Sequence, residues 1–172
     1  MNTITLASPS KSFNITGLKH SLVIAENPKF LELYQKEQMK NDGHFGESIF
    51  GQVATEVAFA HCDDWLKQLM AYLAENYRTV HAFMKTHFPD VKVYKPEATY
   101  FVWMDFTFLR MSNEQLTSFF EDRARIIVNQ GHSLGTGGSG FIRLNIGCPR
   151  QILESGLDRI KQAYDQLAND IS

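Results

Sequence analysis

The sequence predicts an α/β fold, on three observations. Apolar residues recur three and four apart through two long stretches, Trp65 to Met84 and Ile152 to Leu167, which is the spacing of one helix face. Short runs dense in β-branched and aromatic residues, Tyr100 to Phe106 and Phe141 to Ile146 among them, read as strands. Helical and extended segments follow one another along the chain, with Pro, Gly and Asn at the changes, so helices packed on a short sheet are expected.

Taken in order, Ile4, Leu6 and Ala7 predict a short buried strand, stopped at Ser8-Pro9 because proline cannot donate to a sheet ladder. Lys11 follows directly, among Ser8, Ser10 and Ser12. At the end of a buried strand a lysine is desolvated, and desolvation favours the free amine, a nucleophile toward a carbonyl. The plainer reading is a loop lysine that snorkels to water. Leu22 to Ala25 predicts a second strand, and Asn27-Pro28 a helix start, asparagine as cap and proline in the first turn. That helix runs to about Lys40 and ends at Asn41-Asp42-Gly43. From Gly46 to His61 a nearly uncharged helical pattern predicts a largely buried helix. His44 and His61 are lone histidines and are assigned no chemistry. Asp63 or Asp64 then caps a helix of about 24 residues, roughly 36 Å long, closed by His87-Phe88-Pro89-Asp90.

Beyond it, Val91, Val93 and Tyr94 predict a short strand closed by Lys95-Pro96-Glu97, and Tyr100 to Phe106 a buried strand, the two making a hairpin or a neighbouring pair. Ser112 and Gln115 have the spacing of a capping box and open a helix with Leu116, Phe119 and Phe120 on its core side. Ile126 to Val128 predicts another strand, and Gly131 to Gly140 a flexible loop. The loop is not a phosphate loop, since no Gly-Lys-Ser/Thr follows and the next element is a strand. Within the final strand, Phe141 to Ile146, Arg143 interrupts apolar neighbours. A guanidinium placed so needs an anionic partner, whose carboxylate its planar fork fits. An internal salt bridge to Asp or Glu is the alternative. Pro149 begins the last helix, with Arg150 expected to face water.

The 172 residues carry 44% hydrophobic and 21% charged side chains, ordinary for a globular chain, and a formal net charge of −2. No basic surplus exists to neutralise phosphates, so a nucleic-acid partner is not expected. No apolar run is long enough to span a membrane and no secretory signal is visible, so neither a membrane partner nor export is expected. Cys62 and Cys148 have no metal spacing and read as reduced thiols of a cytoplasmic protein, with a disulfide between them as the alternative; no metal is expected.

The stretch Ser8-x-Ser10-Lys11-x-Phe13-x-x-x-Gly17-Leu18, with the spelling Ser-Lys-Ser-Phe-Asn-Ile from Ser10, resembles the cofactor-lysine segment of the fold-type I pyridoxal-phosphate enzymes. Two further anchors follow in order: Lys95-Pro96-Glu97-Ala98-Thr99-Tyr100 with Val102-Trp103-Met104-Asp105, and Gly140 through Arg150. Together they resemble the class I/II aminotransferases, in the branch that includes the cystathionine β-lyases. The resemblance implies the C-terminal small domain of the aspartate aminotransferase-like fold, residues 61–172, preceded by a remnant of the large cofactor-binding domain, residues 1–60. It implies pyridoxal 5′-phosphate as cofactor, with Lys11 as catalytic and cofactor-bearing lysine and Ser8 and Lys19 on the phosphate. Lys19 departs from the family's arginine and offers a point charge in place of a fork. Arg143 is implied to bind the α-carboxylate of an amino-acid substrate. The family's cofactor lysine lies well past the middle of a chain about twice as long, so this sequence is expected to be the C-terminal half of a C–S β-lyase or aminotransferase. Full-length members are implied to be homodimers. The pyridine-nitrogen acid, the stacking aromatic and most phosphate donors belong to the other half, so weak cofactor binding and little or no turnover are expected of this half alone. The alternative is a catalytically silent α/β fragment that associates with itself.

Overall fold

A computed structural model describes residues 2–41 and 48–171, with side chains as far as 167. The expected helix stop at Asp42-Gly43, the start of the next helix at Gly46, and His44 lie outside the described residues. The chain divides into two compact units, Met1–Leu69 and Met70–Ser172.

In the first unit, β1 (Thr5–Ala7) pairs antiparallel with β2 (Leu22–Ile24), Leu6 opposite Val23. Between them the chain makes a tight turn at Pro9 to Phe13 and a 3-10 turn at Thr16–Leu18. Helix α1 (Pro28–Lys40) starts as its sequence dictates: the Asn27 side chain accepts from the Lys29 backbone N–H, with proline in the first turn. Helix α2 (Ile49–His61) is capped by Ser48, whose hydroxyl accepts from the Gly51 N–H. Phe13 anchors this unit, edge-on to Phe59 and stacked at 6.1 Å on Trp65.

Two expectations fail in this unit. The strand expected to be buried is exposed, Leu6 by 73%, because a two-stranded ribbon has no interior of its own. Helix α2 was expected largely buried, yet only Gly51, Thr55 and Ala58 are, while Phe50 stands 79% exposed. An uncharged pattern reports affinity for an apolar surface, but burial needs such a surface to be present.

Helix α3 (Asp63–His87) follows. The second unit holds a four-stranded antiparallel sheet in the order β3 (Lys92–Tyr94), β4 (Phe101–Asp105), β6 (Phe141–Asn145), β5 (Asn129–Gln130). Register sets Trp103 opposite Arg143 and Met104 opposite Ile142. Alternation then gives the sheet two characters. Val102, Met104 and Ile142 are fully buried, together with Val80 and Met84 of α3 and Leu157 and Ile160 of α5 (Arg150–Ile171). Helix α4 (Asn113–Ser118), opened by the expected capping box on Ser112 and Gln115, adds Leu116 to this core. Phe106 meets Phe120 edge-on at 5.2 Å. The opposite sheet face carries Phe101, Trp103, Phe141 and Arg143, all half-buried.

Residues Ile126 to Val128 were expected as a strand and are not one; pairing starts only at Asn129, opposite Arg143. The reason lies upstream. Arg125 adopts a left-handed conformation, φ 54°, and the Ile126 N–H is spent on the Phe120 carbonyl, closing the preceding helical turn. Ile127 is left 91% exposed. The glycine loop is built rather than loose: Gly131 and Gly138 are buried against each other, and a Cβ on Gly131 would stand 2.3 Å from the Gly138 carbonyl oxygen.

Candidate active site

The residues singled out by sequence fall into two sets, one in each unit. Ser8, Lys11 and Lys19 belong to the first and Arg143 to the second.

Lys11 sits in the turn after β1 and is exposed. The desolvated amine expected from a buried strand is therefore absent in this unit, for the reason that exposes the strand itself. The turn is nevertheless tied down. Ser8 Oγ stands 2.8 Å from Ser10 Oγ and 3.0 Å from the His20 carbonyl oxygen. The Phe13 N–H donates to the Pro9 carbonyl and the Ile15 N–H to that of Ser10. Phe13, two residues beyond the lysine, is buried in the aromatic contacts of this unit. Lys19 is exposed, with its backbone in the left-handed region, φ 53°. Its neighbour His20 holds the turn to α2, through Nδ1 to Thr55 Oγ1 at 2.7 Å and through close packing on Gly51. Sequence reasoning missed His20, Gly51 and Thr55; a glycine inside an uncharged helix was the one available signal of close approach.

Arg143 lies mid-strand on β6. Its expected anionic partner is replaced by a neutral one: Nε and one terminal nitrogen both donate to Asn129 Oδ1, each at 3.2 Å. The guanidinium carbon stands 4.3 Å above the Phe101 ring, within cation–π range. Among the described residues no carboxylate pairs with it. Trp103 stacks on Phe141 beside it, rings 5.5 Å apart. Asn129 carried no signal in the sequence, because it was read as following a strand rather than beginning one.

Arg150, expected to face water, is half-buried. Its Nε donates to Asn76 Oδ1 at 2.8 Å and its backbone N–H to the Tyr72 hydroxyl. Asn76 is fully buried and donates to the Ile146 and Cys148 carbonyls at 2.8 and 3.0 Å. This clamp fixes the segment that leaves β6 after Arg143. Among the described residues no cluster of His, Cys, Asp and Glu could hold a metal ion, and no helix is long and apolar enough to cross a membrane.

The first unit thus carries two exposed lysines and a hydroxyl pair on one short segment, and the second an arginine with no carboxylate partner among the described residues. The family model for aminotransferases of class I and II matches residues 1–160, and the chain belongs to that family. It is 36% identical over 160 residues to cystathionine β-lyase PatB of Bacillus subtilis, covering 93% of this chain and 41% of the relative. It is 32% identical over 152 residues to protein MalY of Escherichia coli, covering 88% and 39%. Among solved structures it superposes on cystalysin from Treponema denticola, which contains pyridoxal 5′-phosphate, with a TM-score of 0.88 and 32% identity, covering 96% of this chain and 42% of that one. The chain thus spans about two fifths of the length of the relatives it matches.

Proposed function

We propose that this chain is the lysine- and carboxylate-binding portion of a pyridoxal-phosphate-dependent C–S β-lyase or aminotransferase acting on amino acids. The observation that carries this reading is Lys11 on its tied turn, inside a family match that runs from residue 1 to 160. The proposal takes residues 1–60 as part of the large cofactor domain and 61–172 as the small domain.

The donor set fits the cofactor at its two reactive ends. Lys11 offers the amine for its aldehyde; Ser8 and Lys19 offer a hydroxyl and an ammonium for its phosphate. When bound, pyridoxal phosphate supplies an electron-accepting ring conjugated to the substrate α-carbon. Lys11 Nζ, when not bonded to the cofactor, would be the base that takes the substrate α-proton. Arg143 fixes the α-carboxylate and so orients the bond that breaks. Ser8 has a single hydroxyl proton, so serving a phosphate means releasing Ser10 or His20.

Pyridoxal phosphate added to the chain gives a visible-absorbance band for a lysine adduct, and Lys11→Ala removes it. Equal spectra for the two proteins would withdraw the role of Lys11. A second reading, a silent fragment that associates with itself, is favoured by the exposed apolar side chains Ile49, Phe50, Val53 and Val57 on α2. Concentration-dependent sedimentation without any lysine adduct would select it.

A further inference from the structure

We propose that Asn129 is a positioning residue for Arg143: it holds the guanidinium by a neutral oxygen and so leaves the charge uncancelled for a ligand carboxylate. The inference rests on the reading of Arg143 given above and adds to it the residue that keeps the site open.

A guanidinium that ends up half-buried is normally satisfied in one of two ways. A carboxylate pairs with it, which fixes its geometry and cancels its charge. Otherwise it reaches water and is free to move. Arg143 is half-buried and held in place, yet no carboxylate among the described residues pairs with it. Asn129 stands directly opposite it across the β5–β6 pair, and a single oxygen, Oδ1, accepts from Nε and one terminal nitrogen at 3.2 Å each. One neutral oxygen thus takes both hydrogen bonds, where a carboxylate edge would offer two oxygens and a negative charge. The plane of the group is then covered by Phe101, 4.3 Å away, whose ring face favours the cation. The second terminal nitrogen has no partner among the described residues. Orientation is supplied twice over and neutralisation not at all.

The choice of amide over acid follows from what the site has to do. Aspartate is the isostere of asparagine and would hold Arg143 more tightly, but it would close the site as an ion pair. A carboxylate ligand would then compete with a tethered carboxylate of high local concentration. Alanine would keep the charge and lose the hydrogen-bonded half of the orientation, leaving the contact with Phe101. The two substitutions separate the two parts of the proposal. Asn129 is exposed, at the end of a two-residue edge strand, so neither change empties the core.

The test titrates acetate, at constant ionic strength against chloride, into the isotopically labelled chain and follows the Arg143 Nε–H resonance. Wild type binds saturably. Arg143→Gln abolishes binding reported by neighbouring amides. Asn129→Asp weakens it about tenfold or more, with unchanged amide dispersion and thermal midpoint, and Asn129→Ala weakens it about two- to fivefold. Asn129→Asp binding as wild type would overturn the charge argument, and Asn129→Ala binding as wild type the positioning argument. If instead wild type shows no saturable binding, or Arg143→Gln binds as wild type, the carboxylate reading of Arg143 itself fails. Should Asn129→Asp not fold, wild-type exchange decides: slow Nε–H exchange that Asn129→Ala accelerates supports the grip, and fast exchange in wild type refutes it.

Discussion

Thr55 Oγ1 lies 2.7 Å from His20 Nδ1 and 2.8 Å from the carbonyl oxygen of Gly51, one helical turn back. A hydroxyl has one proton and a carbonyl only accepts, so Thr55 donates to Gly51 and accepts from His20. His20 therefore carries a proton on Nδ1. Nitrogen chemical shifts of the imidazole at mildly alkaline pH should show the Nδ1–H tautomer. Thr55→Val, buried and of the same shape, removes the acceptor and should cost about 1–3 kcal/mol, while Thr55→Ser stays near wild type. A dominant Nε2–H form would break the assignment.

Gly51 and Gly156 should respond to alanine with opposite signs. Both are helical, and alanine gains about 1 kcal/mol over glycine there. At Gly51 the new Cβ would stand 2.8 Å from the His20 Cβ and 3.1 Å from the Leu18 carbonyl oxygen. Backbone and a tethered ring must give way, at about 1–3 kcal/mol, so Gly51→Ala should lower stability by about 1 kcal/mol. At Gly156 the nearest atom is Ile126 Cγ2 at 4.0 Å, and Gly156→Ala should raise it by about 0.5–1 kcal/mol. Trp65 and Trp103 fall one in each unit, so urea unfolding followed by each fluorophore in turn reads the two effects separately.

Asn76 spends both amide protons on the Ile146 and Cys148 carbonyls and its oxygen on Arg150. Asn76→Ala strips three partners at a fully buried position and should destabilise the second unit by about 3 kcal/mol. Arg150→Ala, at a half-buried position, should cost about 1 kcal/mol. Comparable losses for the two variants would mean that the Asn76 bonds to the strand exit carry little of the clamp.

What was legible in the sequence followed from local rules. The cap at Asn27, the capping box at Ser112 and Gln115 and the period of α3 and α5 depend on neighbours within a few residues, and each is present. The exposed faces of β1 and α2 were not legible, because apolar character records what a segment can pack against and not what is there. Ile126 to Val128 failed because the left-handed turn at Arg125 has none of the usual residues to announce it. At the candidate site, Lys11 and Arg143 were singled out by family motifs. Asn129, Thr55 and Asn76 were not, since each acts across a distance of 14 to 74 residues, and no local pattern encodes those pairings.

Arg125 offers a test of that turn. Its φ of 54° is a conformation that costs a side-chain-bearing residue about 1 kcal/mol, and its carbonyl accepts from Arg159 Nη1 at 2.9 Å. Glycine relieves the conformation and keeps the carbonyl. Arg125→Gly should therefore stabilise the second unit by about 0.5–1 kcal/mol, read by Trp103 fluorescence in urea. Destabilisation would mean that the arginine side chain contributes more than its backbone costs.

Cys148 lines a cavity of about 360 Å³ with Leu144, Ile152, Leu153 and Ile126. Burial against these apolar walls disfavours the thiolate and pushes the thiol above its ordinary value of 9.0. The sign for stability follows from linkage. The folded state prefers the protonated thiol, so this contribution is fully present below the unfolded value and is lost as pH rises through the folded one. Iodoacetamide, which captures only the thiolate, should alkylate Cys148 in the folded chain along a titration whose midpoint lies above that of the same peptide in denaturant. Cys148→Ala should flatten the alkaline decline in stability. A folded midpoint at or below the denatured one would show that water reaches the sulfur freely and that the cavity walls do not govern its proton.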